Sequence, residues 1–330
     1  MEKRNNWFNN YHDGMDGNSG FRKLESRIQY FDVPLFNNAT VLDVGCNSGQ
    51  MMKFSLDNKC KFVTGIEYDS EAVKNCDKYL KNYNNYNSIC EDLDNFFIYS
   101  QNDNYDIVLF LSVIDTQELK NRTGMLAKIA SITNKILYFE GHNGQHYSKY
   151  IKMVVQYTSF PFIEYNGETS DNKNITTTRP FITCSKLSLN YEDCIKKIMD
   201  LVKNTDNIKI GICGVSGSGK SFIRKKIVND IFNKNKIVKV PTDNMYIGYI
   251  DDLCILDDIP EDIYNRSYKN KFKKIIYFDY RVIEYEKELD YIFFINSVIK
   301  TNKLDKSPYL SIDNLNDNLK GIYKVNSYCK

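Results

Sequence analysis

The chain has 330 residues, and at roughly 100–200 residues per domain this length predicts two domains. Hydrophobic residues make up 42% and charged residues 26%, which is the composition of a globular chain and excludes a disordered one. Apolar stretches stay short and the first residues are polar, so we expect no membrane span and a cytoplasmic location. The 44 basic and 42 acidic residues give a formal charge of +2, which favours a small-molecule substrate over nucleic acid.

Short apolar runs alternate with helix-like segments along most of the chain. Strands that are buried on both faces of a sheet become continuous apolar runs, and alternating strands and helices form parallel sheets. The sequence therefore predicts an α/β fold class with one parallel sheet in each half. The expected strands are residues 39–44, 62–67, 105–110 and 135–139 in the first half, and 208–213, 236–240, 274–278 and 291–295 in the second.

A segment with helical periodicity separates the two halves. Apolar residues recur at helical spacing between Cys194 and Val202. This pattern predicts an amphipathic connector helix at residues 188–207. We therefore expect a first domain at residues 1–187 and a second domain at residues 208–330.

A glycine turn follows the first expected strand. Residues 41–49 read Val-Leu-Asp-Val-Gly-Cys-Asn-Ser-Gly, and a helix candidate comes next. Glycine permits positive φ and lets a ligand approach the backbone, so the turn can hold a polar ligand at the start of that helix. An acid precedes the glycines, whose spacing differs from that of the dinucleotide fingerprint. The residues expected to bind a cofactor here are Asp43, Gly45, Cys46, Asn47 and Gly49.

Three acidic residues near strand ends indicate which cofactor this is. Asp43 would repel a pyrophosphate but would attract the ammonium group of an amino-acid moiety. Glu67 ends the second strand, where a carboxylate can accept both ribose hydroxyls. Asp92 follows the next expected strand and can meet an adenine amino group. Together the three acids predict S-adenosylmethionine as the cofactor.

With these residues the first half resembles the class I S-adenosylmethionine-dependent methyltransferases over roughly residues 20–185. The matching pieces are the D-x-G-x-x-x-G turn that begins at Asp43, the acids Glu67 and Asp92, and the apolar strand that runs into Ser112. The resemblance implies a Rossmann-like methyltransferase sheet and methyl transfer from S-adenosylmethionine. It also implies that residues 112–115 line the substrate pocket, with Ser112 next to the cofactor.

The methyl acceptor is less well defined by the sequence. No Asn/Asp-Pro-Pro-Tyr/Phe signature follows the fourth strand, which argues against the amino groups of nucleic-acid bases. His142 and His146 lie in a glycine-containing loop after the strand that ends at Glu140, and catalytic groups gather at this edge of open α/β sheets. We expect His142, with Glu140, to be a catalytic base or a substrate contact. The alternative is that both histidines are solvated loop residues.

A second glycine loop lies in the second half of the chain. Residues 214–221 read Gly-Val-Ser-Gly-Ser-Gly-Lys-Ser, between an expected strand and a helix candidate at 222–232, which is the context of a P-loop. The amides of such a loop wrap a triphosphate, its lysine reaches the β and γ oxygens, and its serine ligates Mg²⁺. We therefore expect ATP and Mg²⁺, with Lys220 catalytic and Ser221 on the metal. The residues expected to bind the nucleotide are Gly214, Ser216, Gly217, Ser218, Gly219, Lys220 and Ser221.

Two acids complete this second expected site. Asp243 follows the second strand of this half and can take the proton of an acceptor hydroxyl, and Asp279 is a Walker B candidate for the metal. With Tyr246 and the late strand at 290–295, these features resemble the small P-loop kinases of the uridine kinase and phosphoribulokinase type. The resemblance implies a P-loop NTPase-type sheet and kinase activity. The segment that corresponds to the family's arginine-bearing lid, residues 297–303, contains lysines and no arginine.

The two sites together predict a bifunctional enzyme. It would transfer a methyl group from S-adenosylmethionine and phosphorylate a small hydroxyl-bearing metabolite that is sugar-like or nucleoside-like. One alternative is an RNA-end methyltransferase and kinase, which would use the basic runs at 224–226 and 269–274. The other is a methyltransferase in which the P-loop half is a regulatory nucleotide-binding module.

Overall fold

The computed structural model describes residues 24–99, 103–117, 119–170, 178–213, 218, 220–231, 246–250, 252–257, 272–278, 288–297 and 317–327. The chain divides into two compact units, with the boundary between Lys186 and Leu187. None of the helices in these ranges has both the length and the apolar character that crossing a membrane requires.

The first unit alternates strands and helices. Its strands are β1 (Thr40–Val44), β2 (Phe62–Glu67), β3 (Tyr86–Cys90), β4 (Tyr105–Leu111), β5 (Thr133–Glu140), β6 (Phe162–Ser170) and β7 (Thr178–Ser185). Its helices are α1 (Leu24–Ile28), α2 (Gln50–Asp57), α3 (Ser70–Leu80), α4 (Leu93–Tyr99), α5 (Arg122–Ile132) and α6 (Tyr147–Tyr157), with a short 3-10 helix at Val33–Phe36. This is the α/β pattern that the alternating apolar runs predict.

The strands of the first unit follow the order β3-β2-β1-β4-β5-β7-β6. Strands β1 to β5 pair in parallel, whereas β7 is antiparallel to both β5 and β6. The chain first builds β2 and β3 on one side of β1 and then returns to build β4 and β5 on the other. This reversal opens a crevice at the carboxyl ends of β1 and β4, which is where open α/β sheets bind their ligands.

An apolar cluster packs against this sheet. Tyr138 of β5 is almost fully buried, and its ring centroid lies 4.6 Å from that of Phe31. The hydroxyl of Tyr138 accepts a hydrogen bond of 2.9 Å from the backbone N–H of Asp32, which satisfies the one polar atom of the ring. Phe31 and Asp32, which precede β1, are thereby fixed to β5.

The second unit contains helices α7 (Tyr191–Asn204) and α8 (Lys220–Ile231). Its strands are β8 (Ile208–Cys213), β9 (Tyr246–Ile250), β10 (Leu253–Asp257), β11 (Lys274–Phe278), β12 (Tyr291–Ser297) and β13 (Gly321–Ser327). They follow the order β13-β12-β8-β11-β10-β9, with every pair parallel except β9 and β10. Strand β8 is therefore flanked by parallel strands on both sides.

Most expected strands are found close to their predicted bounds. Residues 62–67, 208–213 and 274–278 coincide with β2, β8 and β11, and the ends of β1, β4, β5 and β12 differ by one or two residues. The predicted connector helix is α7, which belongs to the second unit and packs on β8, β13 and α8. The predictions for the strand at 236–240 and for Gly214, Ser216, Gly217, Gly219, Asp243 and Asp279 lie outside the described residues.

Candidate functional site

The turn after β1 is shaped by two glycines. Gly45 and Gly49 have positive φ values of 72° and 85°, which strain any residue with a side chain. A Cβ at Gly45 would lie 2.8 Å from Cγ2 of Val113, and a Cβ at Gly49 would lie 2.5 Å from Sγ of Cys76. The backbone of the turn can therefore come this close to its neighbours only because both residues are glycine.

Glu67 connects this turn to the end of β2. Its carboxylate accepts hydrogen bonds of 3.1 Å from the backbone N–H of Asn47 and from that of Asp69. Burial raises the pKa of Glu67, and the two backbone donors act in the opposite direction. The side chain is only 5% exposed, so it is held in one place at the carboxyl end of β2.

Asp43 is the most unusual group of the site. It is 3% exposed, and no described residue donates a hydrogen bond to its Oδ2 atom. Burial raises the pKa of Asp43 to about 7, the positive charge of Arg27 lowers it, and the negative charge of Glu67 raises it further. A buried carboxylate oxygen without a donor is costly, so this atom fits a ligand that brings a cationic donor such as an ammonium group.

Asp92 and Tyr68 lie beyond the ends of β3 and β2. Oδ1 of Asp92 accepts a hydrogen bond of 2.8 Å from the backbone N–H of Asp94 at the start of α4. Tyr68 is 48% exposed and directly follows Glu67, so it offers a ring on which a planar base can stack. Sequence analysis missed Tyr68, although a large aromatic residue directly after an acidic strand end is a readable signal.

A buried polar network surrounds Ser112, which follows β4 and has a φ of 61°. The Ser112 hydroxyl donates to Glu140 and accepts a hydrogen bond of 2.9 Å from Nη1 of Arg179. Arg27 donates to both oxygens of Glu140, from Nε to Oε1 at 3.2 Å and from Nη2 to Oε2 at 2.6 Å. Thr169 also donates to Glu140, which is fully buried. The carboxylate thus has partners from α1, β6 and the end of β4.

His142 is fixed against the same strand end. Its Nε2 atom lies 2.7 Å from the carbonyl oxygen of Ser112, and its backbone N–H donates to the Tyr150 hydroxyl at 2.8 Å. Tyr150 in turn donates to Oδ2 of Asp115 at 2.6 Å. Burial lowers the pKa of His142 from its usual 6.5, the bond to Ser112 opposes this, and the charge of Arg179 adds to the lowering. The imidazole is therefore neutral at pH 7, with the proton on Nε2 because a carbonyl can only accept.

The structure separates the two histidines of the loop after β5. Nδ1 of His146 accepts a hydrogen bond from the backbone N–H of Ser148, so His146 caps α6 rather than joining the network around Ser112. Sequence analysis also missed both arginines of the network. Arg27 lies in α1 and Arg179 in β7, and neither stands in a motif. Arg27 lies in the mixed segment Leu-Glu-Ser-Arg-Ile and Arg179 follows three threonines, so neither arginine carries a local sequence signal.

In the second unit, the described part of the expected P-loop is Ser218 together with the start of α8. Ser218 is 1% exposed, and its carbonyl oxygen accepts a hydrogen bond of 2.8 Å from the hydroxyl of Tyr191. Its Oγ atom has no hydrogen-bond partner among the described residues. Lys220 and Ser221 are the first two residues of α8, directly downstream of β8 in the chain. Across the described ranges, no group of acidic, histidine or cysteine residues could by itself hold a metal ion.

Comparison with protein-family models gives a match to a methyltransferase domain over residues 41–135. The matched span runs from β1 to the beginning of β5, and it includes the glycine turn, Glu67 and Ser112. Residues 41–135 are therefore identified as a methyltransferase domain. The match lies within the first unit.

Solved methyltransferase structures are similar to part of the chain. One is magnesium protoporphyrin IX methyltransferase from Synechocystis with bound S-adenosylmethionine, at 18% identity, 46% coverage of this chain, 72% coverage of that chain and a TM-score of 0.39. Another is an N-methyltransferase from Bradyrhizobium japonicum in complex with S-adenosylhomocysteine, at 12% identity, 49% and 85% coverage and a TM-score of 0.39. A comparison with curated proteins gives no significant match.

Proposed function

We propose that the first unit binds S-adenosylmethionine at the carboxyl ends of β1 and β2 and transfers its methyl group to a small hydroxyl-bearing molecule. The observation that carries this proposal is the buried Oδ2 of Asp43, which has no hydrogen-bond donor among the described residues. The ammonium group of the cofactor's amino-acid moiety would supply that donor and its charge. When bound, the cofactor supplies a methyl group made electrophilic by the sulfonium.

The other residues of the cradle each suit one part of the cofactor. The glycine turn, with Gly45, Cys46, Asn47 and Gly49, would let the cofactor approach the backbone. Glu67 would accept the ribose hydroxyls, because its carboxylate is already held at the end of β2. Asp92, beyond the end of β3, would meet the adenine amino group.

The acceptor would bind where β4 and β5 end, beside Ser112. Asp115, three residues further on, holds Tyr150, and Tyr150 holds the backbone of His142. The neutral imidazole of His142 would then be positioned as a general base for an acceptor hydroxyl. Alignment of donor and acceptor by these fixed groups supplies the remaining catalysis.

Calorimetric binding of S-adenosylhomocysteine tests this proposal. We expect one cofactor per chain, and about tenfold to 100-fold weaker binding for Glu67→Gln, because a charged acceptor of two hydroxyls is lost. Glu71→Gln is the matched control, since Glu71 is exposed and forms its ion pair with Lys74 at the surface. Unchanged binding by Glu67→Gln, or no binding by the unsubstituted chain, would contradict the proposal.

We also propose that the second unit binds ATP and phosphorylates a small hydroxyl-bearing molecule. The observation that favours this is Ser218, whose hydroxyl is buried without a described partner just before Lys220 at the start of α8. Lys220 would reach the phosphates and Ser221 would ligate Mg²⁺, with Asp279 on the metal and Asp243 as the acceptor's base.

ADP release from ATP in the presence of sugars and nucleosides tests this second activity. Lys220→Ala and Asp243→Ala are expected to abolish it, and full phosphoryl transfer by Lys220→Ala would contradict it. Tight ATP binding without turnover, coupled to a change in methyl transfer, would instead identify a regulatory module. Binding to an RNA oligonucleotide that falls steeply with salt would favour an RNA-end enzyme.

A further inference from the structure

Arg179 lies in β7, and its side chain extends to the carboxyl end of β4. Because β7 runs antiparallel to β5, its first residues lie beside the carboxyl end of β5, where Glu140 pairs with Phe181. From there Nη1 of Arg179 donates to Oγ of Ser112 at 2.9 Å. The guanidinium therefore lies at the end of β4, on the side where the acceptor is expected.

Arg179 is the second guanidinium at this strand end. Arg27, the first, forms a bidentate pair with Glu140, and both side chains are buried. The charge of Arg179 acts on His142, whose pKa it helps to lower after the larger effect of burial. Among the described residues, Asp115 and Glu140 also act on His142, both in the opposite direction. A guanidinium carries five donors in a planar fork, so one that binds Ser112 can also bind a ligand oxygen.

His142 contacts the same residue, Ser112, through one nitrogen of its ring. Its Nε2–H is donated to the Ser112 carbonyl oxygen, which leaves Nδ1 as the acceptor nitrogen of the ring. The bond from its backbone N–H to the Tyr150 hydroxyl also holds the residue in place. A neutral base and a fixed cation are therefore both attached to Ser112.

We propose that His142 and Arg179 select an acidic hydroxyl, phenolic or enolic, as the methyl acceptor and that methylation takes place on oxygen. This inference rests on the proposed methyl transfer from S-adenosylmethionine. As the O–H bond breaks, Nδ1 of His142 takes the proton and Arg179 holds the oxyanion. An electron pair of that oxygen forms the new bond to the methyl carbon, while the bond from that carbon to the sulfonium sulfur breaks and leaves a neutral thioether. His142 is partly exposed and returns the proton to solvent.

Other acceptor classes suit this pair of residues less well. A phenol with a pKa of about 10 comes within reach of a weak imidazole base when a guanidinium lowers that pKa by about one to three units. An alkyl alcohol is too weak an acid for the same base. Methylation of an amine produces a cation that Arg179 would repel, and a carboxylate needs no base at all.

The ionisation of bound 4-nitrophenol tests the role of Arg179 without any turnover. The full chain is saturated with S-adenosylhomocysteine, and the phenolate absorbance of 4-nitrophenol is followed as the pH is raised. We expect the bound phenol to ionise about one pH unit below the free phenol. Arg179→Gln should abolish this shift and Arg179→Lys should retain part of it, whereas His142→Gln should leave it in place. An unshifted titration in the unsubstituted chain, or the same shift in Arg179→Gln, would overturn the proposal.

Methyl transfer to substituted phenols, primary alcohols, primary amines and carboxylic acids tests the acceptor class. We expect phenols to be preferred, with an about 100-fold loss of kcat for His142→Gln and no loss for the exposed control Glu71→Gln. Affinity for S-adenosylhomocysteine should stay unchanged in all variants, so a failure of the cofactor site would be recognised separately. Preference for amines or carboxylic acids, no transfer to any phenol by a chain that binds the cofactor, or full activity of His142→Gln would overturn the proposal.

Discussion

Two buried acids lie at the strand ends that face the crevice of the first unit. They differ in the hydrogen-bond donors that the protein provides for them. At the end of β1, Asp43 is a buried acid whose Oδ2 atom has no described donor. At the ends of β4 and β5, Glu140 is also a buried acid, but Arg27, Thr169 and Ser112 all donate to it. A ligand can therefore supply the hydrogen-bond donor for Asp43, whereas the protein itself supplies the donors for Glu140.

This difference indicates which charge each strand end can take. The end of β1 suits a positively charged ligand group, because a cation would satisfy Asp43. The ends of β4 and β5 suit a negative one, because Arg179 adds a cation where the acid Glu140 is already paired with Arg27. A methyl donor with an ammonium group and an acceptor that becomes an oxyanion would bind side by side on these terms.

Disruption of the ion pair between Arg27 and Glu140 should have the largest effect on stability. Glu140→Gln would leave Arg27 buried without its counter-charge, so we expect the free energy of unfolding to fall by about 3–5 kcal/mol in urea denaturation. The control is Lys53→Gln, which removes an exposed pair with Asp57 and should change stability by about 0.5 kcal/mol or less. Equal losses of unfolding free energy in the two variants would show that Glu140 does not compensate the buried charge of Arg27.

Removal of the negative charge of Asp43 should weaken the binding of the cofactor. We expect Asp43→Asn to weaken binding of S-adenosylmethionine about tenfold to 100-fold in calorimetry, because the ammonium group loses a charged acceptor. Asp106→Asn is the matched control, since Asp106 lies near the start of β4 at the opposite edge of the sheet. Equal affinities of Asp43→Asn and the unsubstituted chain would contradict the role assigned to Asp43.

Displacement of the Tyr150 hydroxyl, which holds the backbone of His142, should slow methyl transfer without a change in cofactor affinity. A Cβ at Gly141 would lie 2.2 Å from the ring of Tyr150, so Gly141→Ala should displace the hydroxyl that accepts from the backbone N–H of His142. We expect kcat for a phenol acceptor to fall about tenfold or more, while the affinity for S-adenosylhomocysteine stays the same. A parallel loss of cofactor affinity would show that the two strand ends are not independent.

Asp43 should also make the stability of the chain depend on pH, with a smaller effect than that of Glu140→Gln. Because burial raises the pKa of Asp43 from 3.8 to about 7, the folded chain holds this proton more tightly than the unfolded chain. Its contribution to stability is therefore present at low pH and is lost as the pH rises from about 4 through 7. Urea denaturation of the ligand-free chain should show this slope, and Asp43→Asn should reduce it. An identical slope in the two proteins would place the pKa of Asp43 near its usual value.

The sequence predicted the cofactor end of the crevice better than the acceptor end. Asp43, Gly45 and Glu67 lie close together in the chain, at the ends of two apolar runs, so their spacing carries the signal. Arg27 and Arg179 come from opposite ends of the unit and meet at Ser112 only through the order of the sheet. The pKa of Asp43 was not predictable either, because it depends on burial and on its distance from other charged groups.

The strands whose bounds sequence analysis did not predict show the same limit. β3 and β6 mix polar and apolar residues, as strands with an exposed face do, and therefore lack the continuous apolar run that marks β1 or β4. Central strands were predictable because burial on both faces determines their composition.

The pH dependence of S-adenosylmethionine binding shows whether the Asp43 carboxylate accepts the ammonium group of the cofactor. Calorimetric affinities would be compared for the unsubstituted chain and Asp43→Asn from about one pH unit below to one above 7, the pKa to which burial raises Asp43. The amino group of the cofactor titrates in both experiments, so the difference between the two proteins isolates Asp43. We predict that the advantage of the unsubstituted chain grows about fivefold or more across this range, as Asp43 ionises. A constant ratio of the two affinities would contradict the account.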